Sequence, residues 1–128
     1  MFATTFLEYA DYLRRDIEEV VAAGFAHVVT FTVEPRSAVR GFIKGHLQFT
    51  DGSVLHFREF VDLTLAKPKV MYAYHYQDAE ENLRFRYDNA THRPPLPQRE
   101  HKHTPSEVVV APAPKLRDVL NEILNYLE

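Results

Sequence analysis

Residues 39–63 constrain the fold more than any other stretch. From Val39 to Phe49 the residue character alternates with a period of two. Val39, Gly41, Ile43, Gly45, Leu47 and Phe49 fall on one side, and Arg40, Phe42, Lys44, His46 and Gln48 on the other. Ser53 to Leu63 repeats the pattern, with Leu55, Phe57, Val61 and Leu63 against His56, Arg58, Phe60 and Asp62. A period of two over this length is the signature of a half-buried strand. Asp51-Gly52 lies between the two runs. A two-residue loop would pair Leu47 with His56 and set apolar against polar along the hairpin. A three-residue loop, Thr50-Asp51-Gly52 with Gly52 in the left-handed bulge position, pairs Leu47 with Leu55 and His46 with His56. The second register puts both apolar files on one face and is the one expected.

The flanking elements follow from local signals. Thr5-Phe6-Leu7-Glu8 is a capping box, and Phe6, Ala10, Leu13, Ile17 and Val20 continue at helical spacing until Gly24. The exposed side of that helix is acidic, with Glu8, Asp11, Asp16, Glu18 and Glu19 against Arg14 and Arg15. Phe25 to Glu34 reads as a strand stopped by Pro35. Val70 to Gln77 and Leu83 to Asp88 read as a second hairpin with a four-residue loop, Asp78 to Glu81. That loop pairs Tyr76 with Leu83, Tyr74 with Phe85 and His75 with Arg84. Asn89 to Pro105 carries Pro94, Pro95, Pro97 and Pro105 and reads as irregular, long enough to look functional rather than merely connecting. Glu107 to Val110 is a short last strand. Pro114 suits a helix first turn, and Leu116, Val119, Leu120, Ile123, Leu124 and Leu127 make a closing amphipathic helix. The expected architecture is α+β: an antiparallel sheet of about five to six strands, with the N-terminal and C-terminal helices on one face.

A length of 128 residues suits one domain, spanning 1–128, that buries its own core without staples. The chain has no cysteine, so disulfides and thiolate metal sites are excluded. No apolar run approaches membrane-spanning length, and the start, Met1-Phe2-Ala3, lacks a basic segment and an apolar signal core. The reading is a cytoplasmic protein with no membrane partner.

The formal net charge of −3 argues by itself against non-specific nucleic-acid binding. The sheet faces give a different answer. Ile43, Leu47, Phe57, Val61, Tyr74 and Phe85 share the face that the helices cover. Arg40, Lys44, Arg58, Arg84 and Arg86, with His46, His56 and His75, share the other, opposed in the same files only by Asp62 and Asp88. A net-acidic chain can thus present a basic sheet surface of the kind a phosphate-rich ligand needs. The alternative is a solvated face with cross-strand ion pairs such as Arg40 with Asp62. Glu59 breaks the apolar file. A carboxylate there must be paired or neutral, and an ion pair with a helix arginine or an outward bulge is expected.

Chemistry concentrates near the Pro-rich stretch. Phe85-Arg86-Tyr87-Asp88-Asn89-Ala90-Thr91-His92 enters it, and His101-Lys102-His103 follows. Two histidines at i and i+2 of extended chain lie on one side about 7 Å apart. That spacing suits a general base and a general acid flanking a phosphate, with Lys or Arg stabilising the phosphorane. A His and Asp metal site with His92 and Asp88, simple phosphate binding, and an ordinary polar loop remain alternatives.

Gly45-His46-Leu47-Gln48-Phe49-Thr50-Asp51-Gly52-Ser53, Phe57-Arg58-Glu59-Phe60, Tyr74-His75-Tyr76-Gln77, Phe85-Arg86-Tyr87-Asp88-Asn89-Ala90 with His92, and His101-Lys102-His103 together resemble the TumE family of small prokaryotic proteins. The resemblance runs from about Arg40 to the final helix. The sequence departs from the family pattern in having a single histidine at 92, followed by Arg93. The resemblance implies a toxin of a type II toxin–antitoxin system with a helix-turn-helix antitoxin as cognate partner, acting on RNA. Joined to the residues above, it gives a metal-independent, cofactor-free endoribonuclease. His101 and His103 are then base and acid in either order, Arg86 and Lys102 stabilise the phosphorane, Asp88 orients a histidine, and His92 is a third participant. Arg40, Lys44, His46, His56, Arg58, His75 and Arg84 hold the RNA backbone. A non-catalytic RNA or nucleotide binder and a metal-dependent nuclease or nucleotidyl-modifying enzyme are the competing classes. Oligomeric state, a homodimer included, stays open.

Overall fold

The computed structural model describes residues 3–90 and 100–127. Among these, seven antiparallel strands form one sheet whose spatial order is the chain order. They are β1 (Ala26–Pro35), β2 (Arg40–Phe49), β3 (Val54–Asp62), β4 (Lys69–Gln77), β5 (Leu83–Asp88), β6 (His101–His103) and β7 (Val108–Val110). Helices α1 (Phe6–Ala22) and α2 (Leu116–Leu127) lie at the two ends of the sequence. The strand count exceeds the expected five to six because His101–His103 is itself a strand. Three residues carry too little periodicity to announce one. Pairing on both sides, with β5 and with β7, makes it a strand.

Both helices cover the apolar face. Phe6, Ala10, Leu13, Ile17 and Val20 of α1, and Leu116, Val119, Leu120 and Ile123 of α2, bury against Ile43, Leu47, Leu55, Phe57, Val61, Tyr74, Tyr76 and Phe85. The capping box forms as expected: the Glu8 N–H donates to the Thr5 hydroxyl at 3.2 Å, and the Thr5 N–H donates to the Glu8 carboxylate at 3.1 Å. No helix among the described residues is long and apolar enough to cross a membrane.

The first hairpin takes the expected register, with Leu47 opposite Leu55, His46 opposite His56 and Gly52 at φ +85°. Gly41 and Gly45 serve the core face of β2. A Cβ at Gly45 would clash with the ring of Phe57, and one at Gly41 with the ring of Phe6. Both aromatic rings therefore pack directly against bare backbone.

The second hairpin departs from expectation. Gln77 pairs with Leu83, Tyr76 with Phe85, Tyr74 with Tyr87 and His75 with Arg86, rather than with Arg84. The Asp78 carboxylate accepts the N–H groups of Glu80 and Asn82, both at 2.9 Å, and Glu81 takes φ 69°. The loop so tightened runs through Asn82, and Arg84 becomes the extra residue of a bulge. The bulge turns Arg84 toward the helix side. Its guanidinium donates to the Tyr76 hydroxyl at 2.7 Å and to Asp51 at 3.2 Å, and it lies over the Tyr126 ring of α2.

Glu59 is fully buried, yet neither a helix arginine nor an outward bulge explains it. Two phenols do. The Tyr74 hydroxyl donates to Glu59 at 2.6 Å, and the Tyr9 hydroxyl of α1 donates to its other oxygen. The Lys69 ammonium donates in turn to the Tyr74 hydroxyl at 2.6 Å and to the Pro114 carbonyl. Burial holds the Lys69 pKa below its ordinary value, although the charge of Glu59 works against that shift. Burial and the same carboxylate push both phenols well above theirs.

Candidate functional site

The polar face is built from rows of residues that cross the strands. One row runs Thr30, His46, His56, His75, Arg86, His103 and Val108, one residue from each strand. The adjacent row runs Thr32, Lys44, Arg58, Ala73, Asp88, His101 and Val110. A third runs Glu34, Phe42, Phe60 and Met71. Neighbours within a row stand about 5 Å apart and successive rows about 7 Å apart, set by strand spacing and by the rise of two residues.

Contacts within the rows tie the centre together. The His46 and His56 rings lie 4.2 Å apart between centroids. Arg86 Nη1 stands 3.3 Å from His75 Nδ1, and Arg86 Nε donates to one Asp88 oxygen at 2.7 Å. His103 Nε2 lies 3.6 Å from the other. Buried Asp88 thus sits between Arg86 and His103. Lys44, His46, His56, Arg58, His75 and Arg86 line a depression of about 360 Å³. Arg58 and Arg86 continue into a smaller one of about 230 Å³ beside Asp88 and Tyr72.

The electrostatics of the histidine row are shared. Burial lowers the pKa of His46, His56 and His75. The neighbouring charge of His56 and His27 adds to this at His46, that of His75 at His56, and that of Arg86 at His75, where the hydrogen bond that His75 Nε2 donates to the Gln77 amide oxygen opposes it. These imidazoles stay neutral at neutral pH, so Lys44, Arg58 and Arg86 carry the positive charge. A consequence for stability follows. The unfolded histidines protonate near pH 6.5, and the folded ones lower still. Between those values the unfolded chain binds more protons, so stability is full above about pH 6.5 and falls as pH drops through the folded values. Urea midpoints are expected to decrease from pH 7.5 to 5.5, and His56→Gln should flatten that dependence.

Several expected site residues lie elsewhere. His101 is 2% exposed rather than open in a cleft. It is held between two strands, with its ring 6.5 Å from that of His103. Lys102 points to the opposite face, because alternation in β6 sends the middle residue away from its neighbours. Its ammonium donates to Glu122 of α2 at 2.7 Å, a carboxylate that also accepts the Tyr87 hydroxyl. Lys102 is therefore not beside the histidines, and Arg84 has left the basic face through its bulge. Arg40 is on that face but ion-paired with Asp62 at 2.9 Å. His92 lies outside the described residues. Lys44, His46, His56, Arg58, His75, Arg86, Asp88 and His103 do come together. His27, which the sequence did not single out, stands beside this group. It pairs with Gln48, and a bulge between Val28 and Thr30 obscures its phase in β1. Among the described residues no group of three or more His, Asp or Glu is placed to hold a metal ion.

The sequence matches the family described as Toxin TumE over residues 13–128. The chain belongs to the TumE toxin family. The match begins within α1, well before the Arg40 at which the resemblance in the sequence starts, and takes in every strand. No curated protein and no solved structure matches the chain. Membership of a toxin family implies an antitoxin partner in general. All the residues of the TumE chain gathered on the polar face fall inside the matched region.

Proposed function

We propose that this toxin is a metal-independent endoribonuclease of the cytoplasm, with His75 and His103 as the acid–base pair on either side of Arg86. The observation that carries the reading is Arg86 held between His75 and Asp88 with His103 beside the same carboxylate, in a depression that Lys44 and Arg58 also line. His75 and His103 sit on the two strands flanking β5, about 10 Å apart along the sheet, with room for one phosphate over Arg86. His103 keeps its expected role and His75 takes the place of buried His101.

In this reading Arg58 and Arg86 neutralise the phosphate. Neutral His75 exchanges its Nδ1 contact with Arg86 for the 2′-hydroxyl and accepts that proton, and the O2′–P bond forms. His103 protonates the leaving 5′-oxygen as the P–O5′ bond breaks, and Asp88 stabilises its imidazolium. The products are a 2′,3′-cyclic phosphate and a 5′-hydroxyl. A helix-turn-helix antitoxin covering the polar face with acidic side chains would block it.

Purified protein with end-labelled RNA in EDTA is the test. Cleavage leaving the cyclic phosphate is expected, with His75→Ala and His103→Ala each slowing it by about 10²- to 10⁴-fold. Binding without product would make the chain a blocking binder. Loss in EDTA with rescue by Zn²⁺ or Mn²⁺ would make the histidines ligands.

A further inference from the structure

The third row of the polar face has no structural reason to be apolar. Both helices cover the other face, so among the described residues no element covers these positions, where an antiparallel sheet normally carries polar side chains. Yet Phe42 and Phe60 stand side by side here, with ring centroids 4.6 Å apart and planes within 25° of parallel. Neither belongs to the core, and both keep part of their surface exposed. Met71, next in the row, is 52% exposed. The Arg36 guanidinium lies 5.1 Å from the Phe42 ring centroid and extends the stack at its other end.

The row beside it supplies the second observation. Lys44 pairs with Arg58 directly alongside Phe42 and Phe60. Both cations are exposed, and among the described residues neither has a carboxylate within ion-pair distance. A flat apolar stack one row from paired free cations matches two parts of a nucleotide. The base has a π-face and no charge, while the phosphate has charge and no face. The offset of about 7 Å between rows is bridged by the sugar that joins them. A duplex cannot use this arrangement, because its bases are already stacked on one another and turned inward.

We infer that Phe42, Phe60 and Met71 form a base-stacking platform and that the ligand of this face is single-stranded RNA, held by its phosphates on Lys44 and Arg58 and by an unstacked base on the aromatic row. The inference deepens the nucleic-acid reading above and does not depend on cleavage. An acidic partner protein would use the cations but has no need of the phenyl stack.

Fluorescence anisotropy with a labelled oligouridylate, its duplex with oligoadenylate, and an abasic oligomer of equal length tests it on the full chain. Phe60→Ala is expected to weaken single-strand binding about tenfold, the usual size of one stacking contact, and Phe42→Ala less, because its ring backs Phe60 and its other face is taken by Arg36; both should leave the abasic oligomer unchanged. The duplex should bind more weakly than the single strand. The chain contains no tryptophan, so Phe60→Trp keeps a ring in the row and gives a lone reporter, whose emission should be quenched by the oligouridylate and not by the abasic oligomer. Equal losses for base-bearing and abasic oligomers, an unquenched indole at saturation, or tighter duplex binding would each overturn the inference. So would variants that keep their RNA affinity and lose only the antitoxin. Selective stacking losses without any cleavage would sink the ribonuclease and spare the platform. Cleavage with unchanged KM in both alanine variants would do the reverse.

Discussion

Glu59→Ala should cost about 3–5 kcal/mol, the usual effect of removing one partner from a buried charged network. Tyr9 and Tyr74 both donate to this carboxylate, and Lys69 donates to Tyr74. Without the acid, two phenols lose their acceptor and a buried ammonium loses the nearby negative charge that offsets its desolvation. Glu59→Gln should cost less, since the carboxamide oxygen still accepts from one phenol. Urea unfolding at pH 7 gives the measurement. The midpoint should fall in that order with the slope unchanged. A midpoint within experimental scatter of the wild type for Glu59→Ala would mean that the cluster is not coupled in the way its hydrogen bonds describe.

Arg86 governs the second large effect, on activity. Arg86→Ala is expected to lower kcat/KM on RNA by about 10²- to 10³-fold, the size seen when one preorganised donor to a developing charge is removed. The same change leaves buried Asp88 without its arginine, so a loss of activity could come from misfolding. Arg86→Lys separates the two. It keeps a cation near Asp88 but loses the fork that reaches His75 and Asp88 together. A folded lysine variant with a large drop in kcat and nearly unchanged binding identifies a role in the transition state. Equal changes in binding and in kcat/KM would leave Arg86 as a phosphate anchor only.

The legibility of this fold in its sequence depended on how many residues each signal spans. The β2–β3 register was readable because eleven-residue alternating runs meet at a turn with a single glycine, and a one-residue slip would invert every side chain. That register placed Lys44, His46, His56 and Arg58 correctly on one face. The second hairpin was misread because Asp78 ties its loop one residue longer and the surplus appears as a bulge at Arg84, which strand periodicity cannot detect. β6 was missed because three residues contain one and a half periods. The misplacement of Lys102 has a plainer cause. Alternation within His-Lys-His already separates the lysine from both histidines, so chemistry suggested by adjacency in sequence was contradicted by geometry implied in the same three residues. His101 gave no local sign of burial, since its environment comes from strands on either side. Glu59 stands out in its apolar file, but its partners Tyr9 and Tyr74 lie 50 and 15 residues away. Partners at that distance become visible only when the helix is laid on the sheet.

The simple order of the strands bears on how the chain assembles. Every strand pairs with its predecessor, so the sheet can grow by adding one hairpin arm at a time, with short loop closures except between β5 and β6 and no crossover to thread. During synthesis the same order imposes a delay. Tyr74, Tyr76 and Phe85 are laid down well before Leu116, Val119, Leu120 and Ile123, the side chains of α2 in the core they share. Until α2 is made the nascent sheet has α1 alone on its apolar face, and the part that α2 covers stays exposed to aggregation until that helix docks.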